Sequence, residues 1–170
     1  MIFFSLLIPD MTNEEEQMLD EALIKTYNEF GITHDNNSLY ADATCFPPKL
    51  KKMPILGDLH KHLLENPMTT RIAAIVSRFV TGSAQSFNRQ TNVDLTNKYI
   101  VLDLSELKGK LLPVGMMIAL DYVWDNIKAD RVKKKAIMID EIWQLIGASS
   151  NKLAAEFCLE IFKVIRGYGG

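Results

Sequence analysis

The fold expected of this sequence follows mainly from residues 133–141, Lys133-Lys-Lys-Ala-Ile-Met-Ile-Asp140-Glu141. Four apolar residues, 136–139, form a continuous run between three lysines and two adjacent acids. A short apolar run without alternation is typical of a strand that is buried on both faces, as the strands of a parallel sheet are. We therefore predict a strand near 134–140 that delivers Asp140 and Glu141 to its carboxyl end.

A second run of the same kind, Tyr99-Ile-Val-Leu102, ends at Asp103. Between the two runs, Pro113 suits the first turn of a helix, and apolar residues at helical spacing follow it. Strand, helix and strand in this order predict a parallel βαβ unit with 98–104 and 134–140 adjacent or near-adjacent. The sequence thus indicates an α/β domain, whose sheet needs helices on both faces.

Caps and apolar periodicity predict the other elements. The opening run, 1–8, is read as a core element of a larger domain, because a bare terminus is usually polar. The remaining predictions, in order, are an amphipathic helix from the capping box Thr12-Asn-Glu-Glu15 to Gly31, a surface loop at 32–54, a short helix from Asp58 to Glu65, another after Pro67, and a last helix capped near Ser149 or Ser150.

Composition excludes several classes of protein. The 170 residues are 48% hydrophobic and 24% charged, and 19 basic residues nearly balance 21 acidic ones, so any contact with DNA must be local. Cys45 and Cys158 lie far apart, which argues against a zinc site or a disulfide scaffold and favours a reducing, cytoplasmic setting. No apolar run approaches the roughly 20 residues of a membrane span.

Asp140 and Glu141 are the main candidates for chemistry, because an apolar strand ending in two acids has the form of a Walker B segment. In such a site the first carboxylate holds the magnesium shell and the second orients the attacking water. The alternative is that both are ordinary turn or cap acids. Asp103 ends the other predicted strand in the same way and is a secondary candidate for the nucleotide site.

The partner of a Walker B segment, Gly-x-x-x-x-Gly-Lys-Ser/Thr, is absent from the sequence. Gly109-Lys110 does not replace it, because Leu111 follows where a hydroxyl should bind magnesium. Spacing alone therefore supports only an α/β domain with an acidic site.

Two other clusters have a functional and an ordinary reading. His60 and His62 stand two residues apart, so a helix would place them on different faces, and solvated surface is favoured over a metal pair. The run Lys133–Lys135 could contact DNA phosphates, although a charge run before a strand is usually solvated.

Several ordered motifs resemble the conjugation ATPases of the VirB-four and TraC type. The similarity covers nearly the whole chain and is strongest from Phe79 to Gly170. The motifs that carry it are Phe3-Phe-Ser-Leu-Leu-Ile-Pro-Asp10, Phe87-Asn-Arg-Gln-Thr-Asn-Val-Asp-Leu95, Tyr99-Ile-Val-Leu-Asp-Leu104, Leu111-Leu-Pro-Val-Gly115, Ala136-Ile-Met-Ile-Asp-Glu-Ile-Trp143 and Ile165-Arg-Gly-Tyr-Gly169.

The resemblance implies the interior of a RecA-like P-loop motor of the HerA and FtsK type, with a mainly helical insertion at 1–80 and a core segment with the Walker B strand at 81–170. It implies ATP and Mg²⁺ as cofactors, with Asp140 linked to the metal, Glu141 as the catalytic acid and Arg166 reaching phosphate at a subunit interface. An ordinary arginine at the end of a helix is the alternative for Arg166.

The family also implies a homo-hexamer that works with other type IV secretion subunits, and with DNA or protein cargo, at the cytoplasmic face of the membrane. Because the phosphate-binding loop is missing, the chain is expected to be inactive by itself. A second hypothesis is a non-catalytic interaction module that docks on secretion partners without binding nucleotide. A generic α/β domain with accidental acids would leave the ordered motifs unexplained.

Overall fold

The computed structural model describes residues 2–46, 48–94, 97–109, 111–129, 132–146 and 152–168. The chain divides into two compact units. We call Met1–Asp10 together with Val93–Gly170 the terminal unit, and Met11–Asn92 the central unit.

The described elements are mainly helices, joined by short 3-10 turns at Asn36–Leu39, Pro67–Thr69, Gln85–Phe87 and Ile165–Tyr168. In chain order they are α1 (Ile2–Leu7), α2 (Asn13–Glu29), β1 (Tyr40–Asp42), β2 (Lys49–Leu50), α3 (Leu56–Glu65), α4 (Thr70–Val80), α5 (Leu111–Ala129), α6 (Trp143–Ile146) and α7 (Lys152–Val164). Among the described residues, no helix has both the length and the apolar character that crossing a membrane requires.

The central unit is built on α2, α3 and α4. The predicted capping box begins α2: the Glu15 N–H donates to Thr12 Oγ1 at 3.2 Å, and the Thr12 N–H donates to Glu15 Oε2 at 3.0 Å. Gly31 follows the helix at a φ of 65°, a left-handed conformation that suits glycine. The helices bury an apolar core that includes Leu19, Leu59, Leu63, Ile72, Val76 and Phe79.

The predicted surface loop at 32–54 contains a small hairpin that the sequence analysis missed. Strands β1 and β2 pair antiparallel, with Tyr40 opposite Leu50 and Asp42 opposite Lys49. These strands are only three and two residues long and largely exposed, so they leave no apolar alternation for a sequence pattern to detect.

The terminal unit packs α5, α6 and α7 around one apolar cluster, and α1 contacts α5 and α7. The opening run therefore belongs to a core, as predicted, with Phe4 and Ile8 buried. The buried members of the cluster are Met116, Met117, Leu120, Trp124, Ile127, Leu145, Ala154, Cys158 and Ile161. The predicted cap of α7 at Ser149 or Ser150 lies outside the described residues.

The predicted parallel strands are not formed, which corrects the sheet expected from the sequence. Within the described ranges, β1 and β2 are the only strands, and neither 97–104 nor 134–139 has a strand or helix assignment. The reason lies in how these segments are covered. Ile137 and Ile139 pack against the terminal core, whereas the side chain between them, Met138, is 95% exposed. The run is thus covered on one face, and no segment among the described residues pairs with it as a neighbouring strand.

Candidate functional site

The acid pair Asp140–Glu141 occupies a turn that joins an apolar segment to a helix. The Gln144 N–H donates to the Glu141 carbonyl oxygen at 2.9 Å, which begins the turn leading into α6. Behind the turn, Leu145 is 1% exposed in the terminal core and fixes the start of the helix. The segment and the helix together therefore hold both acids at the surface, where their side chains are exposed.

Glu141 has a left-handed backbone, with a φ of 55°, and among the described residues it is the only one other than glycine with a positive φ. Its N–H donates to Asp140 Oδ1 at 2.9 Å, and Gln144 Nε2 donates to its Oε2 at 3.3 Å. A left-handed conformation costs a residue with a Cβ about 1–2 kcal/mol. These hydrogen bonds offset part of that cost and orient the two carboxylates relative to each other.

Asp103 lies after the other apolar segment and closes its own turn. Its Oδ1 accepts the Ser105 N–H at 2.9 Å, and this backbone hydrogen bond is the main reason that the pKa of Asp103 is lowered. No hydrogen bond among the described residues joins Asp103 to Asp140 or Glu141. Its structural role is therefore that of a turn residue, and its part in a nucleotide site stays a prediction.

Arg166 lies in the 3-10 turn Ile165–Tyr168, which directly follows α7, and its side chain is exposed. The turn is anchored by Tyr168, whose ring packs edge-on against Trp124 with the ring centres 5.3 Å apart. An exposed arginine on an anchored turn is available to a second molecule. Its proposed contact with phosphate remains a prediction.

Lys135 has a structural role that the sequence analysis did not identify. Its Nζ donates to the Ile127 carbonyl oxygen at 3.1 Å and to the Tyr168 carbonyl oxygen at 3.5 Å. The first contact satisfies a carbonyl in the last turn of α5, where a helix favours positive charge. Of the three lysines in the run, Lys135 therefore ties backbone ends together, and Lys133 and Lys134 are exposed.

His62 differs from the expectation of solvated surface, because its side chain is only 4% exposed, whereas His60 is half-buried. His62 Nε2 lies 3.1 Å from Glu29 Oε2 of α2, and its Nδ1 lies 3.6 Å from Glu65 Oε1. Neither nitrogen has a partner in good hydrogen-bond geometry, although the first distance is short enough for one. The prediction of solvated surface was wrong for His62 because the face of α3 that carries this residue packs against α2. Among the described residues, no cluster of three or more potential ligands could hold a metal.

The donor chemistry of the acid pair fits only part of a nucleotide site. Carboxylate oxygens suit Mg²⁺, and Asp140 Oδ2 is left over after Oδ1 accepts the Glu141 N–H. Phosphate binding in a P-loop site needs convergent backbone amides and a lysine, and the sequence contains no such loop. The residues therefore fit the metal and water side of the site and do not supply the phosphate side.

In class, the described chain is a mainly helical protein in which an apolar segment delivers two acids to an exposed turn. In fold, it matches the solved structure of VirB4 of Thermoanaerobacter pseudethanolicus, with a TM-score of 0.82 and 25% sequence identity. The match covers 99% of this chain and 46% of that chain, so this chain spans about half the length of its structural relative. No protein-family model matches the sequence, and no curated protein matches it.

This structural match confirms the predicted resemblance to part of a VirB4-type type IV secretion ATPase. The relation to P-loop secretion ATPases is supported at the level of the family. The RecA-like parallel sheet is not confirmed, because the described strands form only the antiparallel pair β1–β2.

Proposed function

We propose that this chain is a segment of the ATP-hydrolysing motor of a conjugative type IV secretion system, which powers DNA or protein transfer or pilus assembly. The observation that carries the proposal is the fold match to VirB4 over 99% of the chain. The exposed turn at Asp140–Glu141 supports it, because the turn presents two carboxylates in the order that a Walker B segment requires.

In the proposed site each acidic residue has its own task. Asp140 would hold the water shell of Mg²⁺ through its carboxylate, and Asp103 would add a second carboxylate near the nucleotide. When bound, Mg²⁺ would neutralise negative charge on the phosphates of the nucleotide. Glu141 would accept a proton from the attacking water, and the hydrogen bond that Gln144 donates to its carboxylate would support this role.

Arg166 would act on the nucleotide of a neighbouring subunit in a homo-hexamer, because a planar guanidinium binds phosphate oxygens in pairs. Residues 1–80 would form a helical insertion and residues 81–170 the core segment of the motor. Its other partners would be secretion subunits at the cytoplasmic face of the membrane, and DNA where DNA is the cargo.

A non-catalytic docking module is the second candidate function, and the missing phosphate loop favours it. The coding sequence around this chain separates the two. An open reading frame that continues upstream through a Gly-x-x-x-x-Gly-Lys-Ser/Thr loop would support the motor. A stop codon directly upstream would support the docking module.

The decisive experiment measures ATP binding and steady-state hydrolysis by the longer protein that contains this segment and a phosphate loop. We expect Glu141→Gln to keep ATP binding and to lower kcat by about a hundredfold or more, the scale of losing a general base. Asp140→Asn should raise the Mg²⁺ concentration that is needed for half-maximal hydrolysis. Glu106→Gln, a change at another exposed acid, is the matched control and should leave kcat unchanged. Full activity of Glu141→Gln would refute the assignment.

The 170-residue chain by itself gives a second test. Because it has no phosphate loop, isothermal titration with magnesium-ATP should show no tight binding. One-to-one binding in the micromolar range would mean that other residues of this chain bind phosphate. It would refute the proposal that this chain supplies only the metal and water side of the nucleotide site.

A further inference from the structure

The β1–β2 hairpin, by which we mean the described residues 40–46 and 48–52, carries the most exposed large apolar side chain of the described chain. Phe46 is 100% exposed and Leu50 is 56% exposed. A fully exposed phenylalanine places its whole ring in water, which is unfavourable by the same free energy that burial would gain. Transfer of this ring to an apolar medium would therefore be favourable.

The hairpin holds this side chain on an ordered support. Asp42 accepts hydrogen bonds from the Thr44 N–H at 2.8 Å, the Thr44 hydroxyl at 2.6 Å and the Cys45 thiol at 3.0 Å. These bonds lower the pKa of Asp42 to about 2, the thiol and the hydroxyl having the largest effects, so its carboxylate stays ionised and keeps the turn closed.

The base of the hairpin is fastened to the central unit. Lys51 Nζ donates to the Gly31 carbonyl oxygen at 2.6 Å, beyond the end of α2, and the Lys51 N–H donates to the Leu39 carbonyl oxygen at 2.8 Å. Gln90 Nε2 adds a bond to the Met53 carbonyl oxygen at 2.6 Å. A fixed base with an uncovered tip distinguishes this hairpin from a loop that folds back on the protein.

The charge of the hairpin indicates the medium. Lys49, Lys51 and Lys52 outweigh Asp42, so residues 40–52 carry a net charge of +2 within a chain whose net charge is −2. Lys49 and Lys52 are exposed. Basic residues beside exposed apolar ones suit an anionic lipid surface, where the ring enters the headgroup region and the ammonium groups contact lipid phosphates.

We propose that the β1–β2 hairpin is a membrane-contact site that inserts Phe46 and Leu50 into an anionic lipid surface. Single-stranded nucleic acid fits less well, because a base would stack on Phe46 and leave Leu50 without an apolar partner. A single hairpin gives weak, reversible binding, comparable to or below that of one acyl chain. This inference does not depend on nucleotide chemistry, so it stands or fails separately from the proposed function.

Sedimentation with vesicles tests the proposal on the whole chain, at lipid concentrations on the order of millimolar because the binding is weak. Vesicles with phosphatidylglycerol should bind the chain, and pure phosphatidylcholine vesicles should bind it much less. Phe46→Ser should weaken binding about tenfold or more. Leu64→Ser, a change at a side chain 65% exposed on α3, is the matched control and should not alter it.

The electrostatic part has its own variants. Lys49→Gln with Lys52→Gln should weaken binding on the order of twentyfold, since each lysine near an anionic surface contributes about fivefold. Lys98→Gln with Lys108→Gln changes the net charge equally in the terminal unit and should have little effect. Equal losses for both pairs would mean that binding follows net charge, and would overturn the site.

Insertion can be followed directly with a polarity-sensitive dye on a cysteine placed at the exposed Ala43 in a Cys45→Ser background, because the serine hydroxyl keeps a donor for Asp42 and Cys158 is buried. The dye emission should shift to the blue on anionic vesicles, and the shift should be lost when Phe46→Ser is added. An unchanged spectrum would refute insertion.

Phe46-dependent binding to an oligothymidine without binding to vesicles would assign the hairpin to nucleic acid instead. Phe46-dependent dimers in sedimentation velocity would assign it to self-association.

Discussion

The amino terminus of α2 offers a sharp test of how the central unit is held together. Glu15 accepts the Thr12 N–H and is also bound by Arg71 of α4, whose Nη1 lies 2.8 Å from Oε2 and 3.0 Å from Oε1. Thr12→Ala removes the cap of the Glu15 N–H and should cost about 1 kcal/mol of unfolding free energy. That loss corresponds to a fall in Tm of about 4–8 °C for a unit of this size.

Glu15→Gln separates the charge from the cap, because glutamine still accepts the Thr12 N–H. The side chain of Arg71 is 43% exposed, so water screens the pair and the expected loss is small, about 0.2–1 kcal/mol. Glu14→Gln removes a charge from the same helix end without touching Arg71. It therefore controls for the interaction of an acid with the helix dipole.

The pH dependence of this loss has a definite sign. The Thr12 N–H and Arg71 lower the pKa of Glu15, so the folded state releases its proton more readily than the unfolded state does. The stabilisation is therefore complete above the ordinary glutamate pKa, about 4.3, and disappears as pH falls through the lower folded value. Urea unfolding followed by circular dichroism should show the largest difference between wild type and Glu15→Gln at pH 7, and the difference should shrink as pH falls below about 4.3. A difference that does not shrink with falling pH would refute the charge argument.

Three further comparisons use urea unfolding of the whole chain. Leu63→Ala should lower the free energy of unfolding by about 2–5 kcal/mol, because Leu63 is fully buried, whereas Leu64→Ala should change it by no more than about 0.5 kcal/mol. Similar losses for the two variants would contradict the assignment of Leu63 to the core. Lys135→Met should lower the free energy of unfolding by about 1–3 kcal/mol, because it removes two hydrogen bonds to carbonyl oxygens, and Lys134→Met should leave it almost unchanged. A larger loss for Lys134→Met than for Lys135→Met would contradict the structural role of Lys135. Glu141→Gly should be more stable than Glu141→Ala by about 1 kcal/mol, since only glycine adopts a φ of 55° without strain; equal stability would exclude strain at the turn.

Helices α2 and α5 could be predicted from the sequence because the signals that start or end them are local. Thr12 and Glu15 lie within one turn of each other, and Gly31 ends α2 by its own backbone conformation. Pro113 lies in the first turn of α5, as its fixed φ predicts. Each of these residues acts on neighbours in the chain, so no knowledge of the tertiary fold was required.

The features that were missed depend on contacts between distant residues. The burial of His62 is set by α2, and Lys135 binds carbonyl groups 8 and 33 positions away. Of the candidate site, the sequence predicted the acid pair at the carboxyl end of a strand; the structure has the pair in a turn that follows a segment without strand assignment, and its role in a site stays a prediction. The sequence could not reveal the left-handed backbone of Glu141 or the hydrogen bond from Gln144.

The two apolar segments explain why the sequence overstated the sheet. A strand that is buried on both faces needs apolar residues at consecutive positions, and 99–102 and 136–139 have them. In the structure, Leu104 and Ile137 pack against the terminal core, whereas Tyr99 is 85% exposed and Val101 is 69% exposed. A protein that needed cover on one face only would place polar residues at the exposed positions. Apolar residues at the exposed positions are therefore the reason that the pattern predicted strands buried on both faces, whereas the structure covers these segments on one face.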